Sequence, residues 1–185
     1  MASDELDKVE LPALEQLQSL GWSYVEGAKL SPDESDERSS LKDVVLEKRL
    51  TESLKRINPW INDENLHKVV RDLTKTLYPN LVEANQGIWT QINQCISVMQ
   101  DLGKGNKGQT VNIIDFENPE NNEFLCTNQF KVSGVNQNII PDILCFVNGL
   151  PLAVIECKSP FITNPMEAGI KQLLRYANLR TPEND

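Results

Sequence analysis

Ile140-Pro141-Asp142-Ile143-Leu144-Cys145-Phe146-Val147-Asn148-Gly149-Leu150-Pro151-Leu152-Ala153-Val154-Ile155-Glu156-Cys157-Lys158 decides the reading of this chain. Two apolar runs flank Asn148-Gly149, a dipeptide suited to a two-residue turn with positive φ at both positions, so they read as one β-hairpin. Charge stands only at its open end, with Asp142 where the first strand begins and Glu156 and Lys158 where the second ends. Folding back at the turn sets those ends side by side. Glu156 and Lys158, two apart, share a face. Two carboxylates and an amine therefore converge at one end of a sheet whose other residues are expected to be buried.

Working outward, Pro160 and Pro165 bracket a short loop, and 166–178 reads as a closing helix packed through Ala168, Ile170, Leu173, Leu174 and Ala177. Upstream, 111–116 and 124–132 are expected to pair as another hairpin. The segment 103–108, Gly-Lys-Gly-Asn-Lys-Gly, reads as a flexible joint. It is not a phosphate-binding loop, because Gln109 stands where lysine is required. Three helices are expected before it. One carries Val45, Leu46, Leu50, Leu54 and Ile57 and stops at Asn58-Pro59. A second, capped by Asn62 or Asp63, carries Leu66, Val69, Val70, Leu73 and Leu77 and stops at Tyr78-Pro79. A third spans 81–102 on Ile88, Ile92, Ile96 and Met99, with a break at Gly87 or near Ser97. At the start, Val9, Ala13, Leu14, Leu17 and Leu20 mark a helix that Gly21 ends, with Pro12 tolerable only in a first turn. Residues 22–25 form a short strand or packing arm, and 31–40 an exposed polar loop.

The 185 residues suffice for one domain with a real core. They are read as a single domain, mainly helical over 5–102 and carrying over 108–178 the sheet with the charged hairpin end and its following helix. The fold class is α/β (α+β mixed), a mixed sheet of about four strands between helices, with the early helices as an added layer. No run of 18 apolar residues and no secretory signal is present. Cys95, Cys126, Cys145 and Cys157 are too widely spaced for a metal knot or a disulfide framework and read as free thiols of a reducing compartment, the cytoplasm. The net charge of −9 argues against a free-standing nucleic-acid binder. Residues 1–47, however, hold 12 of the 27 acidic and 4 of the 18 basic residues, leaving the remainder nearly neutral.

Paired carboxylates repel unless a cation lies between them, and a few hard oxygen donors with open positions suit Mg²⁺. Asp142, Glu156 and the Cys157 backbone carbonyl supply such donors. Lys158 would stabilise charge or hold an attacking water, and phosphodiester hydrolysis is the natural chemistry. A Pro-Asp turn and a Glu-x-Lys on a solvated edge are the plain structural alternative. His67, the only histidine, has no partner for a zinc site.

Pro141-Asp142 followed by Glu156-Cys157-Lys158 matches the PD-(D/E)xK nuclease motif. Together with 114–124, Asn128-Gln129-Phe130 and the Asn148–Glu156 run, it resembles the N-terminal nuclease domain of the restriction (R) subunit of type I restriction-modification enzymes, over about residues 5–178. The resemblance implies a restriction-endonuclease-like core, with Asp142 and Glu156 as metal ligands and Lys158 as catalytic lysine. Gln172 and Tyr176 match the family's Gln-x-x-x-Tyr element, which organises the site or touches DNA; without the family they would read as a surface amide and a half-buried phenol. An early-helix carboxylate, Glu10 first and Glu47 second, is a further candidate ligand. Lys171 and Arg175 could meet a phosphate or be ordinary surface charges. The implied cofactor is Mg²⁺, with Mn²⁺ able to substitute, and ATP acts only in a full-length subunit. The implied partners are double-stranded DNA and the modification and specificity subunits, with no membrane. By this reading the chain is the amino-terminal fragment of a longer protein. Another PD-(D/E)xK repair or recombination nuclease, or a non-catalytic DNA- or partner-binding domain, are the alternatives.

Overall fold

The computed structural model describes residues 2–75, 81–134 and 137–180. The expected packing residue Leu77, the Tyr78-Pro79 stop and the side chain of Ala177 lie outside the described residues. The chain forms two compact units: residues 1–44, 124–146 and 151–185 make one, and residues 45–123 with the hairpin tip 147–150 make the other.

The first unit opens with helix α1 (Ala2–Glu5), a π turn (Leu6–Glu10) and α2 (Leu11–Ser19). Against the expectation that Pro12 stands only in a first turn, the helical backbone runs on from Ala2 to Ser19, and Pro12, with no N–H to give the ladder, follows directly on the π turn. Gly21, at φ +93°, closes the helix. Leu14 is buried, whereas Leu20, expected on the same face, is exposed because the helix has already unwound there. Strand β1 (Ser23–Tyr24) follows and pairs parallel to β4 (Phe124–Asn128). The four-stranded sheet continues with β7 (Ile143–Val147) and β8 (Leu150–Ile155), in the order β1-β4-β7-β8. A short pair, β5 (Val132–Ser133) and β6 (Asn138–Ile139), and a closing helix α6 (Pro165–Arg180) complete the unit.

β7 is buried along its whole length. Its Ile143 and Cys145 pack with Leu14, Cys126 and Cys157, while Phe146 meets Phe130 edge-on at 5.4 Å between centroids. β8 corrects the expectation of burial: it is the sheet's edge, and Leu152, Val154 and Ile155 are 44%, 44% and 37% exposed. The polar loop 31–40 also departs from expectation. Arg38 is buried, stacks 3.9 Å over the Phe130 ring and donates through Nε to Leu30 O at 2.8 Å. Beside it, Gly27 leaves no room for a side chain, since a Cβ there would stand 2.2 Å from Asn128 O.

The second unit contains α3 (Glu47–Ile57), α4 (Asp63–Thr74), α5 (Leu81–Gln94), β2 (Ile96–Asp101) and β3 (Asn106–Val111). Leu46, Leu50 and Leu54 repeat every four residues and are fully buried, as the stripe requires. Asn62 caps α4 by accepting the Asn65 N–H at 2.8 Å. The expected helix over 81–102 is corrected: α5 ends at Gln94, Cys95 takes φ +62°, and 96–101 is a strand. Ile88, Ile92 and Ile96 do sit at helical spacing, but Val98 and Gln100 are buried while Ser97, Met99 and Asp101 are exposed, a period of two. The strand's backbone pairs antiparallel with β3, from Ile96 opposite Val111 to Asp101 opposite Asn106. Thus 103–108 is a hairpin turn and the beginning of β3 rather than a joint, and the expected hairpin of 111–116 with 124–132 is not formed. Asn148 and Gly149 take φ +52° and +79°, the pair of angles that a type I′ turn needs.

Candidate active site

All the residues gathered here belong to the first unit. Strand pairing positions them: Gln129 N–H donates to Asp142 O at 3.1 Å, which registers the start of β7 beside the end of β4. β8 returns antiparallel along β7 and brings Glu156, Cys157 and Lys158 level with Asp142. These three lie just past the last residue of the strand, where the pleat no longer confines them. Cys157 N–H donates to Asp142 Oδ2 at 2.7 Å. Lys158 Nζ donates to Glu156 Oε1 at 2.7 Å and to Cys157 O at 2.6 Å, and lies 3.8 Å from Asp142 Oδ2. The expected triad is therefore assembled at one end of the hairpin. The carboxyl of Glu156 is 2% exposed, and its Oε2 is buried with no hydrogen-bond partner.

The electrostatics follow from burial. Desolvation pushes the Glu156 carboxyl up to about 7; the hydrogen bond from Lys158 opposes this, and the charge of Asp142 adds to it. Burial alone would lower Lys158, but its bond to Glu156 and the charges of Glu156, Asp142 and Glu5 outweigh that, so the ammonium is held above its usual range. The Cys157 thiol is pushed up to about 12, first by burial, and is inert; its carbonyl is the group that meets Lys158.

Glu10, at the end of the π turn, is buried and held by two amides, Asn128 Nδ2 at 2.9 Å and Gln129 Nε2 at 3.4 Å. Burial, and secondarily Asp142, raise its carboxyl against those bonds. Glu47 is exposed on the first turn of α3 in the other unit, and His67 is exposed on α4. Among the described residues, no three His, Cys, Asp or Glu side chains are spaced to hold a metal. The donor set is two carboxylates and a carbonyl. It fits Mg²⁺, which keeps several waters, and the orphaned Glu156 Oε2 is the oxygen that such an ion would satisfy.

Gln172 and Tyr176 are one turn apart on α6. Gln172 Nε2 donates to Tyr176 Oη at 2.6 Å, and Tyr176 Oη donates to Ile140 O at 3.0 Å. They tie α6 to the residue preceding Pro141-Asp142. Lys171 is exposed and paired with Glu167 at 2.7 Å, and the Arg175 guanidinium lies 5.8 Å from the Tyr176 ring centre. A cleft of about 380 Å³ opens beside the triad, lined by Glu156, Lys158, Met166, Gly169, Ile170 and Leu173. Sequence reasoning did not give roles to Glu5, Asn128, Gln129 or Ser159. The only local hint was the polar Asn128-Gln129 pair interrupting an apolar strand.

A mixed sheet with a carboxylate–lysine cluster at the end of its β7–β8 hairpin is the arrangement of a restriction-endonuclease-like domain. The match to known proteins is specific: residues 3–183 fit the family described as type I restriction enzyme R protein N terminus, and the chain belongs to that family. It is 36% identical over 155 residues to the putative type I restriction enzyme MjaIXP endonuclease subunit of Methanocaldococcus jannaschii, and 36% over 154 residues to the type I restriction enzyme HindI endonuclease subunit of Haemophilus influenzae. Each match covers 82% of this chain. A second M. jannaschii relative, the putative MjaVIIIP endonuclease subunit, is 34% identical over 88% of the chain. The matched region is about 15% of the length of each of these curated relatives.

Proposed function

We propose that this chain is the single nuclease domain of a type I restriction enzyme R subunit, hydrolysing DNA phosphodiester bonds with Mg²⁺. The observation that carries this reading is the meeting of Asp142, Glu156 and Lys158 at the open end of the hairpin, where the second carboxylate oxygen of Glu156 is buried without a partner. Asp142, Glu156 and the Cys157 carbonyl would hold the ion, with Mn²⁺ a substitute; Glu10, held by Asn128 and Gln129, is the candidate further carboxylate. A bound divalent ion supplies Lewis acidity and a more acidic water. Lys158, protonated and fixed by Glu156 Oε1, neutralises charge that grows on the phosphate oxygens. Gln172 and Tyr176 act through the backbone, holding Ile140 and thereby the approach of Asp142.

The acidic chain has little electrostatic affinity of its own for double-stranded DNA. In this proposal, binding and delivery come from the longer subunit and from the modification and specificity subunits. Cutting then follows ATP-driven translocation in the cytoplasm, without strong sequence preference. No described helix is long and apolar enough to cross a membrane. The test uses the intact complex: Asp142→Ala, Glu156→Ala and Lys158→Ala should each abolish Mg²⁺-dependent cleavage while ATP-driven translocation continues. Cleavage that survives any one of them removes that residue from its role.

A further inference from the structure

Strand β8 ends at Ile155, so Glu156-Cys157-Lys158-Ser159 carries the candidate donors and the lysine beyond the strand. Such a segment must find partners for its buried N–H groups without a ladder. Two carboxylates provide them. Asp142 Oδ2 accepts the Cys157 N–H at 2.7 Å, and Glu5 Oε2 accepts the Ser159 N–H at 2.8 Å. Residues 157 and 159 are two apart, as are the N–H groups that one neighbouring strand would bind. Ser159 is 4% exposed, so water is a poor replacement for Glu5.

The π turn delivers that carboxylate. In an α-helix, residues five apart point about 140° away from each other; the wider turn, closed by Leu11 N–H on Leu6 O, turns Glu5 and Glu10 towards the same side. Glu10 then takes the Asn128–Gln129 amides while Glu5 takes the backbone behind Lys158. A second contact holds the same helix to the same loop, since Lys8 Nζ stands 4.5 Å over the Phe161 ring.

We infer that Glu5 is a positioning residue of the nuclease site: its carboxylate replaces a missing strand and fixes the Cys157 carbonyl and Lys158 relative to Asp142. This rests on the nuclease reading above. It assigns the first helix a working part in the site.

The test is made on the full-length protein with Glu5→Ala, Glu5→Gln and, as a surface change on the same helix, Glu15→Ala. Hydrogen exchange read by mass spectrometry follows the peptide spanning 156–162, and steady-state cleavage is measured in the assembled complex. Loss of one charge-assisted hydrogen bond corresponds to about tenfold. Glu5→Ala should speed exchange in that peptide and lower kcat by about that factor with KM unchanged. Glu5→Gln, whose amide oxygen still accepts, should restore most of both, and Glu15→Ala should leave both as in the wild type. Exchange in β7 should not change in any variant. Unchanged exchange in Glu5→Ala, faster exchange with unaltered kcat, or a glutamine no better than alanine would each overturn the assignment. A wild type that does not cut, or a Lys158→Ala variant that does, would refute the nuclease reading; the exchange result would still decide whether Glu5 holds Ser159.

Discussion

Replacing Glu156 by glutamine should stabilise the metal-free protein. The carboxyl is almost wholly buried, one oxygen lacks a partner, and its pKa is pushed from 4.5 to about 7. Because the folded state binds the proton more tightly than the unfolded chain, wild-type stability is highest at and below pH 4.5 as far as this group is concerned. It falls as pH rises to about 7 and is level above that. At 1.36 kcal/mol per unit, the ionised form costs about 3 kcal/mol at pH 8. Glutamine keeps an acceptor for Lys158 and carries no charge to desolvate, so Glu156→Gln should recover about that amount while removing cleavage.

The assay is urea unfolding in EDTA at pH 5 and pH 8, read from Trp22 with Trp60→Phe and Trp89→Phe in both proteins, since those two tryptophans belong to the other unit. Added Mg²⁺ should reverse the order, because at a thousandfold excess over Kd a bound ion adds about 4 kcal/mol to the wild type alone. A glutamine variant no more stable than wild type at pH 8 in EDTA, or one stabilised equally by Mg²⁺, would refute the account of Glu156 as a strained, ion-seeking carboxylate.

Two further outcomes follow from single side chains. Tyr176→Phe deletes the bonds to Ile140 O and Gln172 and should cost about 1 kcal/mol; cleavage by the complex should slow without disappearing, and complete loss would assign the hydroxyl a direct chemical role. Asn148 is fully buried, accepts the Glu123 N–H at 2.8 Å, and donates to Ile113 O at 2.9 Å and Asn122 Oδ1 at 2.8 Å. Asn148→Ala should therefore lower stability by about 3 kcal/mol, read by urea unfolding at Trp60 and Trp89; a loss below about 1 kcal/mol would show that those buried groups find other partners.

The sequence by itself determined the elements whose cause is local. Asn148-Gly149 could take the two positive φ values of the turn, Asn62 could cap α4, and the four-residue repeat of Leu46, Leu50 and Leu54 could face only one core. Once the hairpin was fixed, its direction brought Asp142, Glu156 and Lys158 together, and so the candidate chemistry was legible as well, although the two residues of the second arm lie past the strand, where the period of two no longer applies. Tertiary structure decided what depends on a distant partner. Ile96–Asp101 has helical spacing with the isoleucines before it, yet it becomes a strand because β3 offers it a ladder. β8 is apolar like β7 but lies at the sheet's edge, a position no local pattern encodes. Arg38 is buried with help from Phe130, 92 residues away, which supplies an aromatic face. Glu5 has the same kind of dependence: nothing near it in the sequence names Ser159, and a hydrogen bond spanning 154 positions exists only when the whole unit has folded.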